Sequence, residues 1–235
     1  MTEPKRLPVQ ALIFDLDGTL IDSKIDLIHS VNATLQALGR ERLPSETIAG
    51  YIGHGAPQLV ARALGSRNEE ETQRALKFFL AYYEQHKLDN TCLYPGAAET
   101  LAELNRQGIP MAVLTNKPVR ISGRILDALQ VSRYFRAVYG GNSFQTKKPD
   151  PLGAQTILAE LAVSARNTLL VGDSEVDVQT ARNAGTQAAY ANYGFGVYNR
   201  EAFPADIYLD RIDELLQVLR PPIDEPRPNL SHRSR

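Results

Sequence analysis

Val9-Gln10-Ala11-Leu12-Ile13-Phe14-Asp15-Leu16-Asp17-Gly18-Thr19-Leu20 is the stretch that decides the fold. Four apolar residues, Ala11 to Phe14, run into two aspartates separated by one leucine, then a glycine and a threonine. A short apolar run bounded by polar and turn residues predicts a strand buried on both faces, as in the middle of a parallel sheet. The aspartates then fall at the carboxyl end of that strand, where open α/β sheets collect their ligands. Strand alternation points Asp15 and Asp17 the same way and turns Leu16 into the core. Two carboxylates held that close repel each other, and a divalent cation or a shared proton relieves the repulsion.

Beyond Asp22 the rhythm changes. Ile25, Ile28, Val31, Leu35 and Leu38 recur at helical spacing and Gly39 stops the helix. After the turn Gly53-His54-Gly55, two more helices are predicted, near 56–64 and 68–87. Residues 23–90 therefore read as an all-helical cap with a small core of its own, set over the sheet end that carries Asp15. From Tyr94-Pro95-Gly96 onward, strands near 110–114, 137–139, 168–171, 188–190 and 206–208 alternate with helices, the last helix closing at Arg220. That alternation implies an α/β fold with a Rossmann-like, doubly wound parallel sheet, residues 1–22 and 91–220, covered on both faces. The tail, 221–235, holds four prolines and few apolar residues and is expected to be disordered.

The bulk numbers exclude several classes. The chain has 235 residues, with 43% hydrophobic and 23% charged, which suits a soluble globular protein with a proper core. Its 26 basic and 27 acidic residues leave no basic excess to neutralise a nucleic acid. The single cysteine, Cys92, cannot form an internal disulfide, which fits a reducing compartment, and it reads as a packed small side chain. No signal sequence precedes the first strand, and no apolar run approaches the roughly 20 residues of a membrane span. A cytoplasmic protein, monomer or homodimer, with no membrane or nucleic-acid partner is expected.

Three further segments fall at strand or helix ends: Thr115-Asn116, Lys148, and Asp173-Ser174 with Asp177. Read singly, Thr115-Asn116 and Asp173-Ser174 are helix caps and Lys147-Lys148 is a solvated pair. Read together with Asp15 and Asp17, they supply a carboxylate nucleophile, oxygen ligands for a hard cation, hydroxyl and amide donors, and an ammonium. That inventory suits phosphoryl transfer, in which catalysis is positioning and charge neutralisation.

The motif Asp15-x-Asp17-Gly18-Thr19-Leu20, followed in order by these segments, resembles the haloacid dehalogenase-like phosphohydrolases, and within them the phosphoglycolate phosphatase-like members. The resemblance spans about residues 9–220. It implies that Asp15 is the nucleophile that becomes an aspartyl-phosphate and that Asp17 is the general acid and base. It also implies that Asp15, Gly18, Thr115, Asn116 and Lys148 surround the phosphate, Lys148 being preferred to Lys147 on its match to the Lys-Pro pair. Mg²⁺ is the implied cofactor, held by Asp15, by Asp17 through its carbonyl, by Asp173, and by Asp177 at one remove. Dehalogenases of this superfamily lack the second aspartate, so its presence here favours phosphoryl chemistry.

Substrate choice is expected from the cap. The turn Gly53-His54-Gly55-Ala56 resembles a Gly-x-Gly-Ala turn in related caps that commonly carries Asn where His54 stands. His54, the turn's backbone and Arg62 are expected to meet the acidic part of a small phosphorylated metabolite. The favoured substrate is 2-phosphoglycolate. Another small ester, a sugar phosphate or pyrophosphate, a phosphomutase, and a non-catalytic phospho-ligand sensor are the alternatives.

Overall fold

The run Ala11–Phe14 forms a strand with every residue buried. It lies in a computed structural model that describes residues 7–66, 68–196 and 198–220. Along the chain the strands are β1 (Leu7–Pro8), β2 (Ala11–Phe14), β3 (Ile21–Asp22), β4 (Cys92–Leu93), β5 (Met111–Leu114), β6 (Phe135–Tyr139), β7 (Thr168–Gly172), β8 (Gln187–Ala191), β9 (Ile207–Leu209) and β10 (Leu219–Arg220). Four helices separate β3 from β4: α1 (Lys24–Ala37), α2 (Ser45–Ala49), α3 (Ala56–Leu64) and α4 (Glu69–His86). The rest are α5 (Ala97–Arg106), α6 (Val119–Ala128), α7 (Leu152–Leu161), α8 (Glu175–Ala184) and α9 (Leu215–Val218).

Six parallel strands make the main sheet in the order β6-β5-β2-β7-β8-β9. Winding therefore runs outward in one direction through β5 and β6 and in the other through β7, β8 and β9. It reverses between β2 and β7, and a crevice opens at the carboxyl ends of strands on either side of such a reversal. Strand alternation sends Leu12, Phe14, Val113 and Val171 to one face, in a cluster with Leu101, Ile125 and Leu215 of the helices there. Ile13, Ala112, Leu114 and Leu170 face the other way, onto Ala154 and Ile157 of α7 and Val178 and Ala181 of α8. Each such side chain contributes roughly 1.5–3 kcal/mol by leaving water, which makes a slip of one residue prohibitive.

The cap begins and ends at one place. Ile21 pairs with Leu93 and Asp22 with Cys92 in an antiparallel ribbon, β3 with β4. Beside it, the buried carboxylate of Asp26 in α1 accepts from the backbone and side chain of both Asn90 and Thr91, at 2.7–3.0 Å. Burial pushes the Asp26 carboxyl up, but the hydrogen bonds from Asn90 and Thr91 outweigh it and hold the group below its ordinary value. With its pKa lower folded than unfolded, Asp26 gives its full stabilisation above the unfolded value of about 3.9 and loses it as pH falls through the folded value. Asp26→Ala is expected to cost about 3 kcal/mol at neutral pH, because Thr91 keeps buried donors without an acceptor. Urea titrations should show the gap to wild type narrowing as the pH falls below the unfolded value of about 3.9.

Four expectations need correction or fall outside the described residues. The cap's core is not separate: Leu27, Val31, Phe79 and Tyr83 belong to the same buried cluster as Phe14, Leu16 and Ile121. The closing helix ends at Val218, and Leu219–Arg220 instead runs parallel to Leu7–Pro8, a long-range pairing with no local signal. Cys92 is exposed, since β4 is half of a two-stranded ribbon with little above it. The tail expected to be disordered, 221–235, lies outside the described residues. Among the described residues no helix is long and apolar enough to cross a membrane.

Candidate active site

Asp15 and Asp173 follow β2 and β7, the two strands on either side of the winding reversal. The Asp15 N–H donates to the Val171 carbonyl at 2.9 Å, so strand pairing fixes its backbone. Lys148, in the segment between β6 and α7, places its ammonium 2.9 Å from Asp15 Oδ1 and 2.5 Å from Asp177 Oδ1. Asp177 is itself held from behind. Its Oδ2 accepts from the Ser174 N–H at 3.1 Å and the Ser174 hydroxyl at 2.5 Å, in the cap of α8. Of the two lysines in sequence, Lys148 is the one at Asp15, whereas Lys147 donates to the His54 carbonyl at 3.0 Å.

One carboxylate oxygen from each of Asp15, Asp173 and Asp177 lies within 4.8 Å of the others, and all three residues are buried. Burial pushes the Asp15 carboxyl up to about 6; Asp177 and Asp17 add to the rise and Lys148 opposes it. Burial, then Asp177 and Asp15, push Asp173 well above its ordinary value as well. Lys148 is held above its ordinary value because Asp15 and Asp177 outweigh its burial. Asp15 Oδ1 accepts no well-aligned hydrogen bond despite the nearby ammonium. Crowded carboxylates with an orphaned oxygen and an all-oxygen donor set fit a hard divalent cation of the Mg²⁺ type.

Asp173 is fixed by contacts that sequence reading missed. Its Oδ2 accepts from Phe195 N–H at 3.0 Å and Gly196 N–H at 2.7 Å, in the loop after β8. The pair Gly194-x-Gly196 directly behind a strand was the available signal. Gly18, expected at the phosphate, lies instead against Asp173: a Cβ there would sit 1.9 Å from Asp173 Oδ2, on a backbone at φ +81°. The close approach leaves room for no side chain, so only glycine fits against Asp173 here.

Asp17 does share a cavity with Asp15, but its carboxylate faces away from the cluster of three. Its Oδ1 accepts from the Ser23 hydroxyl at 2.5 Å and from Lys117 Nζ at 2.8 Å, and its Oδ2 lies 3.0 Å from the same ammonium. Lys117 also donates to the Tyr83 hydroxyl oxygen at 2.6 Å, so a cap residue reaches the core through it. Neither Lys117 nor Tyr83 was anticipated: their meeting joins α4 to the segment after β5, which no local pattern encodes.

Asp15, Asp17, Thr115, Lys117, Phe79 and Tyr83 line a cavity of about 40 Å³ together with Gly53 and Gly55 of the cap turn. Asn116 reaches the cavity wall, but its side-chain amide is spent on the Gly53 and Lys148 carbonyls, at 3.0 and 3.1 Å. It braces the cap turn and the lysine segment, which leaves that amide no spare proton for a phosphate. His54 and Arg62 fall elsewhere, in a neighbouring cavity of about 170 Å³ with Ser174 and Glu175. Burial, reinforced by Arg62, holds the His54 imidazole below its ordinary value, so it is a poor anchor for an anion. The side chain at this position turns aside because the Gly53 and Gly55 backbones themselves face Asn116.

A family model for haloacid dehalogenase-like hydrolases matches residues 12–191, a span that takes in Asp15, Asp17, Thr115, Lys148 and Asp173. A phosphoglycolate phosphatase from Pseudomonas fluorescens is 42% identical over 197 residues, 81% of this chain and 71% of its own length. Another from Photobacterium profundum is 34% identical over 90% of this chain and 96% of its own. The crystal structure of a predicted phosphoglycolate phosphatase from Haemophilus somnus matches with a TM-score of 0.85 and 29% identity, covering 90% of this chain and 98% of that one. With an aspartate pair and a lysine gathered at the winding reversal of a parallel sheet, the chain belongs to the haloacid dehalogenase-like hydrolases and is similar to their phosphoglycolate phosphatases.

Proposed function

We propose that the protein is a Mg²⁺-dependent phosphatase that hydrolyses a small phosphomonoester, 2-phosphoglycolate first, through an aspartyl-phosphate. Phosphoric monoester hydrolysis is the activity its relatives' names give. The observation that carries the mechanism is the gathering of Asp15 with Asp173 and Asp177, the Lys148 ammonium bridging Asp15 to Asp177, with Asp17 in the same cavity as Asp15. In this reading residues 1–22 and 91–220 are the catalytic core and 23–90 the cap.

Asp15 attacks phosphorus, the bond to the leaving oxygen breaks, and Asp17 gives that oxygen its proton. Asp17 then takes a proton from the water that attacks the phosphoenzyme, releasing phosphate and restoring Asp15. Lys148 and the Thr115 hydroxyl hold the charge on the transferring group's oxygens. Asp15, Asp173 and the Asp17 carbonyl would hold Mg²⁺, with Asp177 in support. When bound, the ion offsets the charge of nucleophile and phosphate. The Phe79 and Leu80 side chains over the cavity keep bulk water from the acyl phosphate.

Phosphate release from a panel of 2-phosphoglycolate, sugar phosphates and pyrophosphate tests this. Turnover is expected to vanish in chelator and return with Mg²⁺, with the highest kcat/KM for 2-phosphoglycolate. A folded protein that turns over no member with Mg²⁺ present would make the phospho-ligand sensor the better reading.

A further inference from the structure

Lys117 takes no part in these steps, yet it puts a buried ammonium into the reaction cavity, with 5% of its surface exposed. Among the described residues lining that cavity it is the one cation. Much of the surrounding wall is apolar: Leu27, Ile52, Leu59, Phe79 and Leu80. Burying an ammonium in such surroundings costs several kcal/mol unless an anion faces it. Asp17 supplies that anion with both oxygens, at 2.8 and 3.0 Å. During turnover, however, Asp17 must turn one oxygen to the leaving group. The ammonium then stands beside the leaving oxygen with half of its partner withdrawn.

We propose that Lys117, with the Tyr83 hydroxyl, anchors a carboxylate carried on the carbon next to the leaving oxygen, and that this contact selects carboxylate-bearing phosphoesters. The inference rests on the phosphatase reading above and names the group that recognises the substrate. In a 2-phospho hydroxy acid two bonds separate the carboxylate carbon from the leaving oxygen. An ester docked with that oxygen at Asp17 therefore lays its carboxylate alongside Asp17, where Lys117 is. Tyr83 completes the anchor. Its oxygen accepts from Lys117 at 2.6 Å, which leaves its own O–H free to donate. Burial pushes the phenol up to about 12, so that donor is present at neutral pH. The cap residues expected to read the acid, His54 and Arg62, line the other cavity and compete for no such role. A charge pair made in this apolar setting is stronger than one in water, and an ester without a carboxylate would leave the withdrawn half of the ammonium's partner unreplaced.

The test compares kcat/KM for 2-phosphoglycolate with that for 2-hydroxyethyl phosphate, which has a CH₂OH in place of the carboxylate. Wild type is expected to prefer the acid by about 100-fold or more. In Lys117→Gln the preference should shrink to within about threefold, chiefly through a rise in KM for 2-phosphoglycolate. Tyr83→Phe, which keeps the ring and its packing, should cut the preference by about tenfold and serves if Lys117→Gln melts below the assay temperature. A Lys117→Gln or Tyr83→Phe enzyme that slows equally on both esters with the ratio intact would overturn the proposal, since that is what merely positioning Asp17 does. A wild type that hydrolyses both esters equally would overturn it too, while leaving the phosphatase reading in place. If wild type hydrolyses neither ester, the anchor falls, and the phosphatase reading falls with it only if the sugar phosphates and pyrophosphate go unhydrolysed too.

Discussion

Asp15→Asn is expected to leave a folded protein whose kcat on 2-phosphoglycolate has fallen by about 10⁴-fold or more, as loss of a nucleophile does. The amide has the carboxylate's shape but no charge to push onto phosphorus. Folding should survive because the residue is a crowded anion: burial, Asp177 and Asp17 all work against its charge. Lys148 keeps Asp177 as a partner at 2.5 Å, so the substitution strands no buried ammonium. Unfolding midpoints measured in chelator should therefore match or exceed wild type even as activity disappears. A mass-spectrometric search for a phosphorylated Asp15 in quenched wild type, absent from the variant, closes the argument. Turnover within tenfold of wild type would place the nucleophile elsewhere.

Lys148→Met is expected to fail in both stability and rate. Its ammonium bridges Asp15 and Asp177 with almost no exposure, and those two carboxylates would be left facing each other beside Asp173. Removing one partner of a buried pair costs about 3–5 kcal/mol, because the remaining charge keeps its desolvation without its attraction. Chemical denaturation in chelator at neutral pH should show a loss of that order. The rate should fall further, by about 10²–10³-fold in kcat, for want of a donor at the transferring oxygens. Lys147→Met, the same change of composition one residue earlier, removes a bond to the His54 carbonyl and serves as the control.

The sheet and the acidic cluster at the ends of its strands were legible because each has a local signature. Ala11–Phe14 is apolar throughout because both faces are covered, Asp15 and Asp173 each stand just past the carboxyl end of a strand, and Lys148 stands in a loop that leads into a helix. Other features are written only in three dimensions. The order of strands depends on pairing between segments far apart, as does the union of Leu7–Pro8 with Leu219–Arg220. Lys117 reads as a link between Asn116 and Pro118 until α4 brings Tyr83 against it. His54 invites a role by its difference from related caps, but its glycine neighbours decide which way the turn faces, and the side chain goes to the other cavity. The helical pattern of the cap announced its elements and not its packing, since an apolar stripe does not say whether it meets another cap helix or the core.

The paired strands at the cap's root fix how it can move. A body attached at two distant points can only flex, whereas one attached along a single edge can swing. Entry and exit here are neighbours, stitched by the Ile21–Leu93 and Asp22–Cys92 pairs and by Asp26. Away from that edge the cap is held by Lys117 on the Tyr83 hydroxyl and Arg124 on Glu84, and, at its turn, by Asn116 on the Gly53 carbonyl and Lys147 on the His54 carbonyl. At about 1 kcal/mol each, the bonds at the turn part and re-form readily under thermal motion. The cap is thus fastened stiffly along one edge and more loosely at the Gly53–Gly55 turn, which borders the cavity that holds Asp15.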